Sequence, residues 1–433
     1  MMNLGDSPVR VALLGCGVVG SQAARLLLEQ ADDLRARVGR PLELAGIGVR
    51  TVRERPGIDP SLFTTDLAGL VDRDDIDLVI ELIGGIHPAQ ELVLAAVQGG
   101  KSVVTANKAL LAEHGPEIYH AARLADVDVY YEAAVAGAIP IIRPLRESLV
   151  GDAVTAVKGI VNGTTNYILD QMHTHGVSFD AALADAQQLG YAEADPTADV
   201  EGHDAAAKAA ILASLAFHTR VRLSDVSCEG ISSVTSEDVA AAESMRCVIK
   251  LLAQCSVSPD GTLAVGVHPT MVPLEHPLAG IHGAYNAVFV ESVNAGRLMF
   301  MGPGAGGSPT ASAVLGDVVT AARNRVRGVA GPGESAYTSP GITDPARVVS
   351  AYYIAMVVRD EPGVLSRVAE VMARRDISIA TVRQEQTRDD DASARLGITT
   401  HRAFDGDVRA AVAELTEGGD VLGNVRVLRV EGA

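Results

Sequence analysis

Val9-Arg-Val-Ala-Leu-Leu-Gly-Cys-Gly-Val-Val-Gly20 runs a short apolar segment straight into three glycines spaced G-x-G-x-x-G, and a helical stretch, Gln22 to Gln30, follows. Strand, glycine turn and helix in that order open a βαβ unit that binds dinucleotides. Gly15 permits the tight turn, Gly17 lets the backbone approach a pyrophosphate, and Gly20 allows close helix–strand packing. Amides at the helix N-terminus complete the phosphate cradle. Gly15, Gly17, Val18, Val19 and Gly20 are therefore candidate cofactor contacts. The fold class expected is α/β, beginning with a doubly wound, Rossmann-type domain.

The bulk properties fit a globular protein of two or three domains. The chain has 433 residues, 48% hydrophobic and 21% charged, with a net charge of −18. That charge argues against nucleic acid or an anionic membrane surface as a partner. Cys16, Cys228, Cys247 and Cys255 show no metal-like spacing and no disulfide framework. The first residues lack the apolar core of a signal peptide, and no apolar run is long enough to span a bilayer. A soluble, cytoplasmic protein is expected. There are five lysines among 36 basic residues, so a lysine at a loaded position can be there for what arginine cannot do, which is to give up a proton.

The second strand, Leu42 to Val49, ends on Arg50, with Arg53 and Arg55 close behind and Glu54 the nearest acid. A carboxylate at this turn binds the ribose of NAD, whereas arginines favour the 2′-phosphate of NADP. NADP is favoured here, with NAD the alternative and unattached surface arginines the plainer reading. Asp77 to Ile83 is a further strand ending in Gly84-Gly85, and Ser102 to Thr105 another ending in Ala106-Asn107-Lys108. Ligands sit beyond the carboxyl ends of such strands. Gly84, Gly85, Asn107 and Lys108 are thus placed at the nicotinamide end, although Lys108 also suits the exposed first turn of a helix. Val127 to Glu132 is another strand, followed by Ala-Ala-Val-Ala-Gly-Ala-Ile-Pro140, whose small residues allow backbone carbonyls to converge on a hard cation. A packed turn without metal fits equally well.

Gly190-Tyr-Ala-Glu-Ala-Asp-Pro-Thr-Ala-Asp-Val-Glu-Gly-His-Asp-Ala-Ala-Ala-Lys208 concentrates charge. Glu193, Asp195, Asp199, Glu201 and Asp204 precede an Ala-rich helix, Ala205 to Phe217. Asp204 and Lys208 are four apart and share one helix face. A solvated acidic loop with an ordinary ion pair is the bland alternative. A lysine rising from a helix of Ala, Ile and Leu beside carboxylates instead suits a substrate with an ammonium and a reacting oxygen.

Ala153 to Asn162, Val257 to Pro269 and Ala287 to Val293 read as strands of an α+β domain whose sheet suits a subunit interface, and Thr165 to His173 as a helix. Gly302-Pro-Gly-Ala-Gly-Gly-Ser-Pro309 opens a long helix, Thr310 to Arg325, expected to pack back on the nucleotide domain. Gly304 and Gly306 are candidate anion or cofactor contacts there. Gly331 to Pro345 reads as a linker. Beyond it the order βαββαβ, from Tyr352 to Glu431, is ferredoxin-like. The domains expected are 1–130 with 300–330 packed on it, 131–299 for substrate and dimerisation, the linker 331–347, and 348–433.

These residues resemble the monofunctional homoserine dehydrogenases that carry a C-terminal ACT regulatory domain. The carriers are Gly15–Gly20, Glu81-Leu-Ile-Gly-Gly85, Thr105-Ala-Asn-Lys108, Tyr131 to Pro140, Val161-Asn-Gly-Thr-Thr-Asn-Tyr167, Gly190 to Lys208, Gly302 to Gly306, Asp317, and Asp360-Glu-Pro-Gly-Val-Leu365. The match covers nearly the whole chain. By position, the resemblance implies Lys208 as proton donor and Glu193 and Asp204 as holders of homoserine. Asp199 becomes an acidic neighbour of the reacting group, Lys108 a contact to cofactor and substrate, and Gly190 a cofactor contact. It implies a sodium site at Glu132, Val135, Gly137 and Ile139, and an amino-acid effector at Asp360, Gly363 and Val364. Threonine is the effector expected, in a homodimer or homotetramer. One departure is Arg50-Thr-Val-Arg53, where the family often has Asp after the Arg and a Lys soon after. Arg388-Asp-Asp-Asp391 looks like an exposed hairpin between two strands.

The chemistry fits the resemblance. Aspartate 4-semialdehyde carries an ammonium for carboxylates to hold, and its reduction leaves an alkoxide that needs a proton; lysine, charged at neutral pH, can supply one. Two rivals stand beside this reading: a sensor binding a nucleotide and an amino acid without turnover, and an oxidoreductase of another amino-acid aldehyde.

Overall fold

A computed structural model of the chain describes residues 7–386 and 392–432. The Arg388–Asp391 segment lies outside them. The chain divides into two compact units assembled from alternating pieces: Met1–Gly163, Asp204–Val226 and Ala284–Ser339 in the first, and Thr164–His203, Ser227–Gly283 and Pro340–Ala433 in the second. The stretch 131–299 thus contributes to both units.

The first unit is built on β1 (Val9–Leu14), α1 (Val18–Glu29), α2 (Ala31–Val38), β2 (Leu42–Gly48), β3 (Phe63–Thr64) and α3 (Leu67–Asp72). It continues with β4 (Leu78–Glu81), α4 (Ala89–Gln98), β5 (Ser102–Thr105), α5 (Lys108–Ala125) and β6 (Val129–Tyr130). The six strands pair in parallel in the order β3-β2-β1-β4-β5-β6, the doubly wound arrangement expected. Both faces of such a sheet are covered, which is why β4 and β5 are buried at every position. The long helix Gly307–Arg327 joins this core, its Val314, Val318, Ala321 and Ala322 clustering with Val11, Leu13, Ile80 and the α1 residues Ala23 and Ala24. Alanines on both helices permit the close approach. Val154–Ile160, Tyr285–Ser292 and Gly296–Pro303 form an antiparallel set in the same unit.

In the second unit, Cys247–Val257 and Leu263–Pro273 pair antiparallel over their full lengths. This corrects the reading of Val257 to Pro269 as one strand. Ser258-Pro-Asp-Gly-Thr262 makes a hairpin turn, in which Asp260 accepts from the Thr262 amide and hydroxyl at 3.1 and 2.6 Å and Gly261 takes φ of +81°. Arg426–Val430 pairs with both Leu263–Pro273 and Val349–Arg359, and the order 426–430, 349–359, 393–400, 379–386 completes the ferredoxin-like sheet. Helices Val364–Arg374 and Asp405–Glu417 bury Val368, Met372, Val408 and Ala411 against Ile354, Met356 and Ile398.

The Gly331–Pro345 stretch is hydrogen-bonded rather than loose. Glu334 pairs with Arg220, the Tyr337 and Thr338 amides donate to the His218 carbonyl, and the Leu263 amide donates to Gly341. The boundary between the units falls inside it, at Ser339 and Pro340.

Candidate active site

The glycine turn has the geometry that a dinucleotide requires. Gly15 takes φ of +96°, and a Cβ on Gly20 would lie 2.1 Å from the Gly15 carbonyl oxygen, so a side chain there forces the turn open. The Cβ direction of Gly17 is open, leaving its backbone approachable. Helix α1 starts at Val18 rather than near Gln22, so Val18, Val19 and Gly20 form its first turn. Of the three arginines after β2, Arg50 and Arg53 are exposed, while Arg55 is half-buried and donates to the Cys16 carbonyl at 3.1 Å. Gly306 caps the helix Gly307–Arg327, and Gly304 lies in the loop before it.

The ends of β4 and β5 are laced together by a buried carboxylate. Glu81 is fully buried and accepts from the Ile83 and Gly84 amides at 2.9 and 3.1 Å and from the Thr105 hydroxyl at 2.6 Å. Asn107 donates to the Gly85 carbonyl at 2.6 Å while its own side-chain oxygen caps α5 by accepting from Leu110. This lacing fixes the first residue of α5, which is Lys108.

Lys108 reaches Asp204, on the helix His203–Ala216. The other oxygen of Asp204 accepts from Lys208 Nζ at 2.7 Å and from Asn162 Nδ2 at 2.9 Å. Lys208 Nζ also donates to the Val161 carbonyl at 2.7 Å. Asp204 is buried, the Lys208 side chain is 12% exposed and that of Lys108 is 42% exposed, so the set is dry at one end and reaches solvent at the other. Burial works to raise the Asp204 carboxyl, but the Lys208 and Lys108 ammoniums hold it well below the usual carboxylate range. The structure thus brings together Lys108, Asp204 and Lys208, and adds Asn162, which motif reading left without a role. Asn162 lies two residues beyond the strand Val154–Ile160, and its place at a strand end was the available signal.

The remaining acidic residues behave differently. Gly190, Glu193, Asp195, Asp199 and Glu201 belong to the second unit. Glu193 is exposed, Asp199 half-buried, and Asp195 caps its own turn by accepting from the Thr197 amide and hydroxyl at 3.1 and 2.6 Å. Among the described residues no group of His, Cys, Asp and Glu could hold a metal ion.

Glu132 is buried, and its carboxylate accepts the amides of Ile141, Ile142 and Arg143 at 2.6, 2.8 and 3.0 Å. Its own amide donates to Asp317 at 2.7 Å, and Asp317 also accepts from Arg143 Nη2 at 2.6 Å. Burial pushes the Asp317 carboxyl up to about 7, opposed by the Glu132 amide. The Glu132 carboxylate ties down the loop through its amides, Oε1 accepting two of them and Oε2 one. Outside helices and strands, no backbone amide among the described residues donates to the carbonyls of Val135, Gly137 or Ile139, all buried residues. In the ferredoxin-like part, Asp360 Oδ1 accepts from Gln384 at 3.3 Å, Gly363 caps the helix Val364–Arg374 with φ of +90°, and Val364 lies in the core.

A dinucleotide turn at β1, strand ends leading to a lysine–carboxylate–lysine set, and a C-terminal ferredoxin-like part define an NAD(P)-dependent oxidoreductase with a regulatory domain. Family profiles match in the same order: the NAD-binding domain of homoserine dehydrogenase over residues 15–132, homoserine dehydrogenase over residues 140–319, and the ACT domain over residues 352–417. The chain is 52% identical over 431 residues to the homoserine dehydrogenase of Corynebacterium glutamicum, covering 98% of this chain and 96% of that protein. With the homoserine dehydrogenase of Mycobacterium tuberculosis it shares 53% identity over 434 residues, 99% of this chain and 98% of the other. A solved homoserine dehydrogenase from Thiobacillus denitrificans is similar at a TM-score of 0.93 and 38% identity, over 98% of each chain. A hyperthermophilic archaeal homoserine dehydrogenase, solved in complex with NADPH, is similar at a TM-score of 0.64 and 26% identity over 76% of this chain and all of that one. The chain belongs to the homoserine dehydrogenase family. It is an oxidoreductase of amino-acid biosynthesis with an NAD(P)-binding domain and a C-terminal ACT domain.

Proposed function

We propose that Lys208 is the acid–base group of the reaction and that Asp204 and Lys108 orient it. The observation that carries this reading is the single buried carboxylate shared by two lysines, with Lys208 also donating to the Val161 carbonyl at 2.7 Å. Bound NAD(P)H supplies the hydride that converts the aldehyde of L-aspartate 4-semialdehyde to an alkoxide. Lys208 gives that oxygen a proton, forming the alcohol of L-homoserine, and takes it back in the reverse direction. Lys108, the more exposed lysine, contacts substrate and cofactor. Because both Asp204 oxygens accept from the lysines and Asn162, Asp204 acts on the substrate chiefly through them. Glu193 is a holder of homoserine, Asp199 an acidic neighbour of the reacting group, and Gly84, Gly85, Gly190, Gly304 and Gly306 are cofactor contacts. Replacing Lys208 by Ala and measuring turnover separately from cofactor affinity tests the assignment.

The cofactor preferred is NADP, supported by Arg50, Arg53 and Arg55 after β2, with Arg55 anchored beside the glycine turn. Initial rates with NADP⁺ and NAD⁺ decide this. A monovalent cation such as Na⁺ suits Glu132 with the backbone oxygens of Val135, Gly137 and Ile139, where it would stiffen the loop. Exchange into sodium-free buffer, with thermal stability read as sodium is restored, tests it. The effector is threonine, acting through the ACT domain at Asp360, Gly363 and Val364 in a homodimer or homotetramer in the cytoplasm. Homoserine oxidation with and without threonine, alongside the mass in solution, tests both.

A further inference from the structure

A cavity of about 470 Å³ opens in the first unit between α5, the far end of the helix His203–Ala216, and the segment from Ala330 to Ser335. Lys108, Asn162, Asp204 and Lys208 do not line it. Its volume falls within the range of small-molecule sites, about 300–1,000 Å³.

The chamber has an apolar body and a cationic end. Leu111, Pro116, Ile211 and Leu215 contribute apolar wall. The Arg146 guanidinium lies 5.4 and 5.6 Å from the ring centroids of Tyr130 and Tyr131 and donates to the carbonyl of Pro332. Most other charged groups of the wall are matched inside the protein. Arg220 makes bonds of 2.9 and 2.7 Å to Glu334, and Arg222 lies 3.1 Å from Asp225. Asp128 accepts from the Gly331 amide at 2.6 Å and from Asn324 at 2.9 Å. Glu113, Arg123 and Asp126 are solvent-exposed. Arg146 is half-buried and has no carboxylate partner among the described residues. A planar guanidinium held in place by aromatic rings at the end of an apolar chamber is suited to a carboxylate.

We propose that this cavity is a second ligand site, taking a small monocarboxylate with an apolar or aromatic body, and that its occupancy alters turnover through the two helices that carry the lysines. Helix α5 begins at Lys108, and Ala210 and Ile211 of the cavity wall lie within one turn of Lys208. A ligand seated between these helices moves one lysine relative to the other on their shared carboxylate. This regulation is separate from an effector on the ACT domain.

The test uses the intact enzyme with phenylacetate as probe and phenethylamine, of similar shape and opposite charge, as control. Calorimetry is expected to detect phenylacetate binding and not phenethylamine binding. Phenylacetate is expected to change the maximal rate without competing with homoserine or cofactor. Arg146→Gln weakens phenylacetate binding at least about 10-fold while ligand-free turnover stays near wild type. Ala112→Phe, which fills the chamber from α5, produces the same loss and decides the matter if Arg146→Gln does not fold. Absence of binding, binding unaffected by both substitutions, or competition with homoserine overturns the proposal.

Discussion

Lys208 Nζ lies 2.7 Å from Asp204 Oδ2, one helical turn earlier, while the other oxygen of the same carboxylate is held by Lys108 from a different helix. The i,i+4 pair sets the spacing within one helix, and the bond to Lys108 ties that helix to the end of a Rossmann strand. The Lys208 ammonium is thereby fixed relative to the nucleotide half of the chain.

Asp204→Asn removes the charge that both lysines share. Turnover is expected to fall by about 100-fold or more, because Lys208 loses its orientation. Stability is expected to drop by about 2 kcal/mol, less than for a fully buried pair because Lys108 reaches solvent. Steady-state rates and denaturant midpoints check the two effects.

Gly20→Ala places a Cβ against the Gly15 carbonyl, 2.1 Å away in the present backbone, and the turn must open. Cofactor affinity is expected to weaken at least about 10-fold, equivalent to about 1.4 kcal/mol. Fluorescence titration of the reduced cofactor reads this directly.

Lys250 is buried on the strand Cys247–Val257, donating to Asn166 Oδ1 at 3.0 Å and to the Ile281 carbonyl at 2.6 Å. Burial pulls its amine down to about 8. Below that value the amine is charged in both folded and unfolded chains, and the burial cost is felt in full. Between about 8 and the ordinary lysine value of about 10.4, the unfolded chain binds the extra proton, so stability rises with pH. Wild type is therefore expected to gain up to about 3 kcal/mol relative to Lys250→Met across that window. Denaturation of both proteins on each side of the window measures the difference.

The legibility of the molecule follows the range of its contacts. The glycine spacing and the alternation of strands and helices disclose the Rossmann half, and the βαββαβ order discloses the ferredoxin-like part, because both are local patterns. Two-residue β3 leaves too short a trace to notice. The turn Ser258–Thr262 hides between apolar residues that read as continuous strand. In the site, Asp204 and Lys208 declare themselves by helical spacing. The Lys108–Asp204 bond spans 96 residues and Asn162–Asp204 spans 42, so only folding brings them together. The acidic run looked like one cluster, yet Asp195 is a local turn cap and the first unit takes only Asp204 from it. Glu132 stands out by its place at a strand end, while its bonds to the amides of Ile141, Ile142 and Arg143 emerge only on folding.

The most direct measurement of the central claim is homoserine-dependent reduction of NADP⁺ by wild type and Lys208→Ala, with cofactor affinity measured on both. Loss of turnover by about 1,000-fold with cofactor affinity nearly unchanged is the result predicted for an acid–base lysine. Retention of turnover within a few-fold, or a parallel loss of cofactor affinity, would contradict it and make Lys208 a structural cation.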